Sequence, residues 1–189
     1  MLTRTIVLLG ALLALAPQLP DAREALRLGR TQDDALYTAF SNGYSLSPSS
    51  PVSSAEIITE FRRAVLIVRE HAQLGEFGFT ERDLEVAMKP HLGLVTFIAE
   101  VRLHPQNTYQ RMPPYEMYVS TGGATPPLAD PALRRDPIYA LGGSSLIGVR
   151  LEMTLPREKI ASASAPELIV TNESADVVWR ARLDLSRFR

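Results

Sequence analysis

The sequence has no cysteine, which excludes structural disulfides, a cysteine nucleophile, thiolate metal sites and a lipid-modified N-terminal cysteine. It also has almost no net charge, because 20 Lys and Arg oppose 21 Asp and Glu to leave −1. No global basic field is therefore present, and we expect no nucleic-acid partner. With 46% hydrophobic and 22% charged residues among 189, the composition predicts a globular protein with a core of ordinary size.

The N-terminal apolar run is too short for a membrane span. Residues 6–16 form an uninterrupted apolar run of 11 residues, which follows Arg4 and precedes the first acid at Asp21. As a helix this run would rise about 16 Å, against a hydrocarbon thickness of about 30 Å. A positive start with a short apolar core is typical of a signal peptide. We therefore predict export, with no membrane span in the mature chain.

The cleavage site is predicted from the residues that follow the apolar run. Pro17 comes directly after the small-residue motif at 14–16, and its ring restricts the backbone that a protease must hold extended. Cleavage after Ala22 is therefore preferred, which makes residues 1–22 the signal peptide. The alternatives are a short buried N-terminal helix and an uncleaved anchor. Because a cysteine-free exported chain suits a bacterial envelope, the predicted location is periplasmic or secreted.

Residues 23–90 are predicted to be a helical N-terminal region of two to three helices. A short helix is expected over 31–42, and six Ser and two Pro in residues 45–54 predict a linker or surface loop. The strongest helical pattern begins with a capping box at residues 53–56 and continues until Gly75. A further helix should start with a capping box at Thr80 and end at Pro90.

Residues 91–189 are predicted to be a β-sandwich domain. From Leu94 the apolar period changes from 3.6 to 2, as expected for half-buried strands. Phe97 and Trp179 are expected to face the core. The expected strands lie in 94–103, 115–119, 138–141, 147–155, 168–171 and 177–185. The predicted class is α+β, with the helices packed on an antiparallel sandwich that is immunoglobulin-like by strand count only. The alternative is one sheet backed by the long helix.

No motif predicts a catalytic residue, a metal ligand or a cofactor. The three histidines, His71, His91 and His104, lack the spacing of a metal site. The segment 143–147 resembles the G-x-S-x-G pattern, but Ile147 stands where the second glycine is required. Because the segment separates two strand patterns, residues 142–145 are predicted to be a hairpin turn.

The segment from residue 104 to residue 118 is the candidate ligand or partner surface. It combines Tyr, Met, Arg and Pro, and the first three are enriched at the centres of interfaces. The alternative is that Tyr115 and Met117 face inward from a strand and Tyr109 covers the edge of the core. The candidate site residues are His104, Asn107, Tyr109, Met112, Tyr115 and Tyr118.

These observations favour an exported cell-envelope binding or assembly module without catalytic activity, whose partner is a protein or another envelope component. One alternative is an envelope hydrolase whose site is assembled from dispersed residues, which a cleft with converging His and carboxylate groups would favour. Another is a structural accessory subunit, which a large flat apolar surface would favour.

Overall fold

A computed structural model describes residues 21–106, 111–122, 127–130, 132–163 and 165–188. In these residues the chain has five α-helices and eight strands in two antiparallel sheets, with most helices preceding most strands. The predicted α+β class is confirmed. The alternative of one sheet backed by the long helix is wrong, because the strands form two sheets.

The helices are α1 (Ala22–Gly29), α2 (Asp34–Asn42), α3 (Glu60–Gln73), α4 (Glu81–Met88) and α5 (Arg157–Ala161). The strands are β1 (Val52–Ile58), β2 (Leu94–Arg102), β3 (Glu116–Ser120), β4 (Leu128–Ala129), β5 (Arg134–Tyr139), β6 (Leu146–Pro156), β7 (Glu167–Thr171) and β8 (Val177–Arg182). In the described part of the chain, every helix is too short or too polar to cross a bilayer.

Helix α1 is part of the core, although no helix was predicted there. Its Ala25 and Leu28 are buried. Gly29 allows α1 to approach α3 closely, since a Cβ at this position would lie 2.6 Å from the Cβ of Val68 and 2.8 Å from the carbonyl oxygen of Val65. Any larger residue would therefore force the two helices apart.

The capping residues define where α2 and α4 begin. The side chain of Asp33 accepts a hydrogen bond from the backbone N–H of Leu36 at the start of α2. At the start of α4, Thr80 and Asp83 form the predicted capping box. The Asp83 carboxylate accepts hydrogen bonds from the Thr80 hydroxyl and from the Thr80 backbone N–H. Both hydrogen bonds lower the pKa of the Asp83 carboxyl, and the one from the hydroxyl has the larger effect.

The predicted start of the long helix at residues 53–56 is wrong. These residues lie in β1, and α3 begins only after Thr59, whose hydroxyl accepts from the N–H of Arg62. The backbone of β1 pairs with β2 along most of its length, with Ile57 opposite Phe97. This long-range pairing overrides a local capping pattern, because β-branched residues also pack well in a strand.

The Ser- and Pro-rich segment predicted as a linker lies against β1. Ser45 forms a bridge with Glu56, and the Leu46 side chain is buried. The last residues of the segment, from Val52, belong to β1 itself, so the segment is only partly a loop. The division of the chain at residue 90 stays a prediction, but the hydrogen bonds between β1 and β2 cross it.

The first sheet has the strand order β1-β2-β6-β5. One of its faces is apolar and buried, and the opposite face is mainly polar. In both β2 and β6 the two kinds of side chain alternate, as the sequence predicted. The buried face consists of Ala55, Ile57, Val95, Phe97, Ala99, Val101, Val149, Leu151, Met153 and Leu155.

The second sheet has the order β4-β3-β7-β8 and contributes to the same core. Met117 and Leu168 are buried in it, as is Trp179, whose Nε1 donates to the carbonyl oxygen of Ser47 at 3.3 Å. The predicted burial of Phe97 and Trp179 is confirmed. A single core shared by two antiparallel sheets is consistent with the predicted sandwich.

Candidate functional site

A cleft of about 760 Å³ lies at one end of the first sheet, on its polar face. Its volume falls in the range of about 300–1,000 Å³ that is common for ligand sites. Its walls come from β1, from the chain after β2 and from the β5–β6 hairpin. The lining residues are Ser53, Glu100, Arg102, Leu103, His104, Pro105, Ile138, Ser144, Ser145, Leu146, Ile147 and Gly148.

Two β-bulges open this end of the sheet. In the β1–β2 pair, Val52 is opposite Val101 and Ser54 is opposite Glu100, so Ser53 is an extra residue. In the β5–β6 pair, Ile138 is opposite Gly148 and Tyr139 is opposite Leu146, so Ile147 is extra. Bulges bend a strand and redirect its side chains, and they occur often beside functional sites. Both extra residues line the cleft.

The floor of the cleft is a row of three residues across neighbouring strands. Gly148 is opposite Arg102 on β2 and opposite Ile138 on β5. Residues opposite one another in a sheet point to the same face, and the Ile138 side chain leans over the buried Gly148, since a Cβ there would lie 3.3 Å from Cδ1 of Ile138. A Cβ on Gly148 would lie 2.9 Å from the carbonyl oxygen of Val101, which explains why the position is a glycine.

The cleft contains two charged side chains, of which Glu100 has an ion-pair partner and Arg102 has none among the described residues. Glu100 accepts a hydrogen bond from the guanidinium of Arg150 at 3.0 Å, and its own carbonyl oxygen accepts from the Ser53 hydroxyl at 3.2 Å. Arg102 is exposed, and no hydrogen bond or ion pair engages its guanidinium among the described residues. The cleft therefore offers an available cation and a carboxylate that is already paired.

His104 is exposed at the side of the cleft, and its ring has a defined orientation. Its Nδ1 accepts a hydrogen bond from the backbone N–H of Gln106 at 3.3 Å. In the neutral ring this bond places the proton on Nε2, which is then a donor. His104 therefore adds a further donor to a cleft that already contains the hydroxyls of Ser144 and Ser145.

The hairpin beside the cleft exposes large apolar side chains. Leu141 at its tip is fully exposed, and Tyr139 and Ile147 are about half exposed. The turn is closed by a hydrogen bond from the Ala140 N–H to the Ser145 carbonyl oxygen at 2.9 Å. The prediction of a hairpin turn over residues 142–145 agrees with this structure, in which β5 ends at Tyr139 and β6 begins at Leu146.

The structure places the predicted site residues in different surroundings. His104 lines the cleft, whereas Met112 and Tyr115 are half-buried against the core. Tyr118 is half-buried in β3, where it pairs with Ile169 of β7. Asn107 and Tyr109 lie outside the described residues. The described members of the set are therefore not assembled into one cleft, and their role in binding stays a prediction.

Arg135 ties the start of the second sheet to the first. From β5, its Nε donates to the carbonyl oxygen of Tyr115 at 2.7 Å, and its Nη2 lies 2.6 Å from a carboxylate oxygen of Glu116. This arrangement, together with the packing of Met112 and Tyr115, gives the segment at 112–116 a structural role.

The other two histidines do not line the cleft. His71 Nδ1 lies 2.5 Å from a carboxylate oxygen of Glu76, and its ring stacks on Phe79. The pKa of His91 is lowered mainly by burial and to a smaller extent by the nearby charge of Arg63. Within the described ranges, no three His, Asp or Glu residues come together as metal ligands.

Comparison with known proteins gives no assignment. No family model matches the chain, and neither a curated protein nor a solved structure shows significant similarity to it.

Proposed function

We propose that this protein is an exported cell-envelope binding or assembly module without catalytic activity, and that it engages its partner through the cleft at the bulged end of the first sheet. The observation that carries the proposal is the combination of a cleft with an apolar hairpin beside it. Leu141 and Ile147 expose apolar surface next to the hydrogen-bond donors of the cleft. An apolar surface surrounded by polar groups is characteristic of interaction sites.

Export is supported by the N-terminal sequence pattern and is compatible with the core. Helix α1 begins at Ala22, and its first buried residue is Ala25. Cleavage after Ala22 would therefore retain every buried residue of α1. N-terminal sequencing of the protein from fractionated bacterial cells tests this part of the proposal. A cytoplasmic protein that retains Met1 would contradict it.

Partner capture tests the proposed surface. The double variant Leu141→Ser/Ile147→Ser removes apolar surface at the hairpin, and the matched control Leu74→Ser/Val177→Ser removes exposed apolar surface elsewhere. We expect wild type and control to retain the same envelope component from a membrane extract, identified by mass spectrometry, and the hairpin variant to lose it. Equal retention by the hairpin variant and the control would contradict the proposal.

A hydrolase is the second candidate, because His104, Glu100 and two serines line the same cleft. Two contacts count against it. Glu100 is held by Arg150, and Nδ1 of His104 accepts from Gln106, which leaves a proton on the Nε2 that would have to act as a general base. Incubation with a fluorophosphonate probe separates the candidates, since labelling lost in both Ser144→Ala and His104→Ala would support a hydrolase.

A further inference from the structure

We infer that the cleft binds the C-terminal end of a peptide chain, with Arg102 binding the terminal carboxylate and the Ile138 side of the cleft accepting an apolar last side chain. The inference rests on the proposed function and names its ligand class. Its starting point is the row Arg102, Gly148 and Ile138, in which a cation and an apolar side chain flank a position without a side chain.

The spacing of this row suits a single terminal residue. Neighbouring strands lie about 4.8 Å apart, so the Cα atoms of Arg102 and Ile138 are separated by about 10 Å across Gly148. A chain end carries its carboxylate and its last side chain on the same Cα. It can therefore lie on the Ile138 side chain, which covers Gly148, with the carboxylate toward the arginine and its own side chain against the isoleucine.

The charge pattern favours a carboxylate over a cation. The planar guanidinium of Arg102 matches a carboxylate in a two-point hydrogen-bonded geometry. His104 Nε2 and the serine hydroxyls supply further donors beside it. The acidic side chain of the cleft, Glu100, is neutralised by Arg150, so it does not repel an incoming anion.

The bulges favour an extended chain over a compact ligand. Ser53 and Ile147 are extra residues in their strand pairs, and both belong to the cleft lining. They lie in the strand pairs on either side of β2–β6, at the end of the sheet that contains the cleft. An extended peptide can contact both extra residues while its last residue lies between Arg102 and Ile138.

Titration of the full chain with two short peptides tests the inference. The probes are acetyl-Ala-Ala-Leu with a free carboxylate and the same peptide as a C-terminal amide, followed by NMR of the backbone amides. We expect the carboxylate peptide to shift Gly148 and Ser145 but not Gly29, and to bind at least about tenfold more tightly than the amide. Arg102→Gln should abolish that preference, Arg102→Lys should keep part of it, and the exposed Arg180→Gln should keep all of it.

Three results would overturn the inference. No shift at Gly148 with the carboxylate peptide would exclude the ligand class, and equal binding of both peptides would exclude the role of Arg102. Equal binding of N-acetyl-leucine would replace a chain end with a small free carboxylate. The peptide experiment does not involve the hairpin-tip side chain Leu141, which partner capture tests directly. Loss of partner capture in the hairpin variant would still support the proposed function if the peptide experiment failed.

Discussion

The two ends of the β2–β6 strand pair differ in how side chains cover them. We call the end that is covered by hydrogen-bonded side chains the closed end, and the end that contains the cleft the open end. At the closed end, Thr96 is opposite Thr154, and their hydroxyls are 3.0 Å apart. Arg63 of α3 donates to the Thr96 hydroxyl at 3.1 Å, and Asp130 accepts from the Thr154 N–H at 3.1 Å. Side chains from two other parts of the chain therefore cover this end.

At the open end, both flanking strand pairs contain a bulge, and the described residues show no comparable network of side-chain hydrogen bonds at Arg102 and Gly148. The comparison leads us to expect different roles for the two ends, stability at one and the proposed binding at the other. Hydrogen bonds at the closed end stabilise the fold, whereas the donors and apolar groups at the open end remain available to a ligand. Substitutions at the two ends should therefore affect different measurements.

The largest expected effect comes from the core between the two ends. Phe97 is completely buried between Ile57 and Met153, so Phe97→Ala should lower the free energy of unfolding by about 3 to 5 kcal/mol in urea titrations. Ile147→Ala, at the half-exposed open end, is the control and should lower it by less than about 1 kcal/mol. Similar losses in the two variants would remove the distinction between core and cleft.

Filling the floor of the cleft should affect both stability and binding. Gly148→Ala places a Cβ 2.9 Å from the Val101 carbonyl oxygen and 3.3 Å from Cδ1 of Ile138. We expect a loss of about 1 to 3 kcal/mol in the free energy of unfolding, together with weaker binding of the carboxylate peptide. Gly143→Ala, in the nearby turn, is the matched control, because an added Cβ there would come no closer than 3.9 Å to any neighbouring atom. A fully stable Gly148→Ala variant would mean that the sheet relaxes at this position.

At the closed end, Thr96→Val should cost stability without changing binding. The substitution removes the hydroxyl that accepts from Arg63 and contacts the Thr154 hydroxyl, so we expect a loss of about 1 kcal/mol in urea titrations. Thr96→Ser keeps the hydroxyl and serves as the control. If Thr96→Val weakened peptide binding as strongly as Arg102→Gln, the two ends would be coupled.

The smallest expected effect is the pH dependence that His91 contributes to stability. The pKa of His91 lies below its usual value of about 6.5 because of burial and then the charge of Arg63. The unfolded chain therefore binds this proton more readily than the folded chain. Stability should be complete above about pH 6.5 and fall as the pH decreases from there toward the lower folded-state pKa.

His91→Gln isolates that contribution. Urea titrations between pH 7.5 and 5 should show a shallower loss of stability in this variant than in wild type, because the substituted side chain does not titrate. A wild-type slope in His91→Gln would assign the pH dependence to other groups.

Alternation along single strands made part of this structure predictable. The period-two patterns of β2 and β6 place Phe97 in the core, and the capping box at Thr80 places α4, because each depends on residues close in sequence. Strand β1 could not be distinguished from a helix, since its pairing partner lies about 45 residues farther along the chain. The cleft depends on the same kind of long-range information.

Of the cleft residues, only His104 was a sequence candidate. Ser53 and Ile147 gain their positions from bulges, and a bulge is defined by the register of two strands together. The glycine at position 148 was the one local signal, because a glycine within an alternating strand often marks a bulge or a close approach. The Tyr- and Met-rich segment was chosen by composition, which does not distinguish core residues from interface residues.

Site-specific photo-crosslinking in intact cells tests the central claim most directly. A photoreactive residue is placed at position 147 in the cleft, at position 118 in β3 or at position 86 on the exposed side of α4, in three otherwise identical proteins. The proposed surface predicts that the partner adduct forms at 147 and is at least about tenfold weaker at 118 and 86. An adduct concentrated at 118 would contradict the claim, because the partner would then bind the second sheet and the cleft would not be the interaction site.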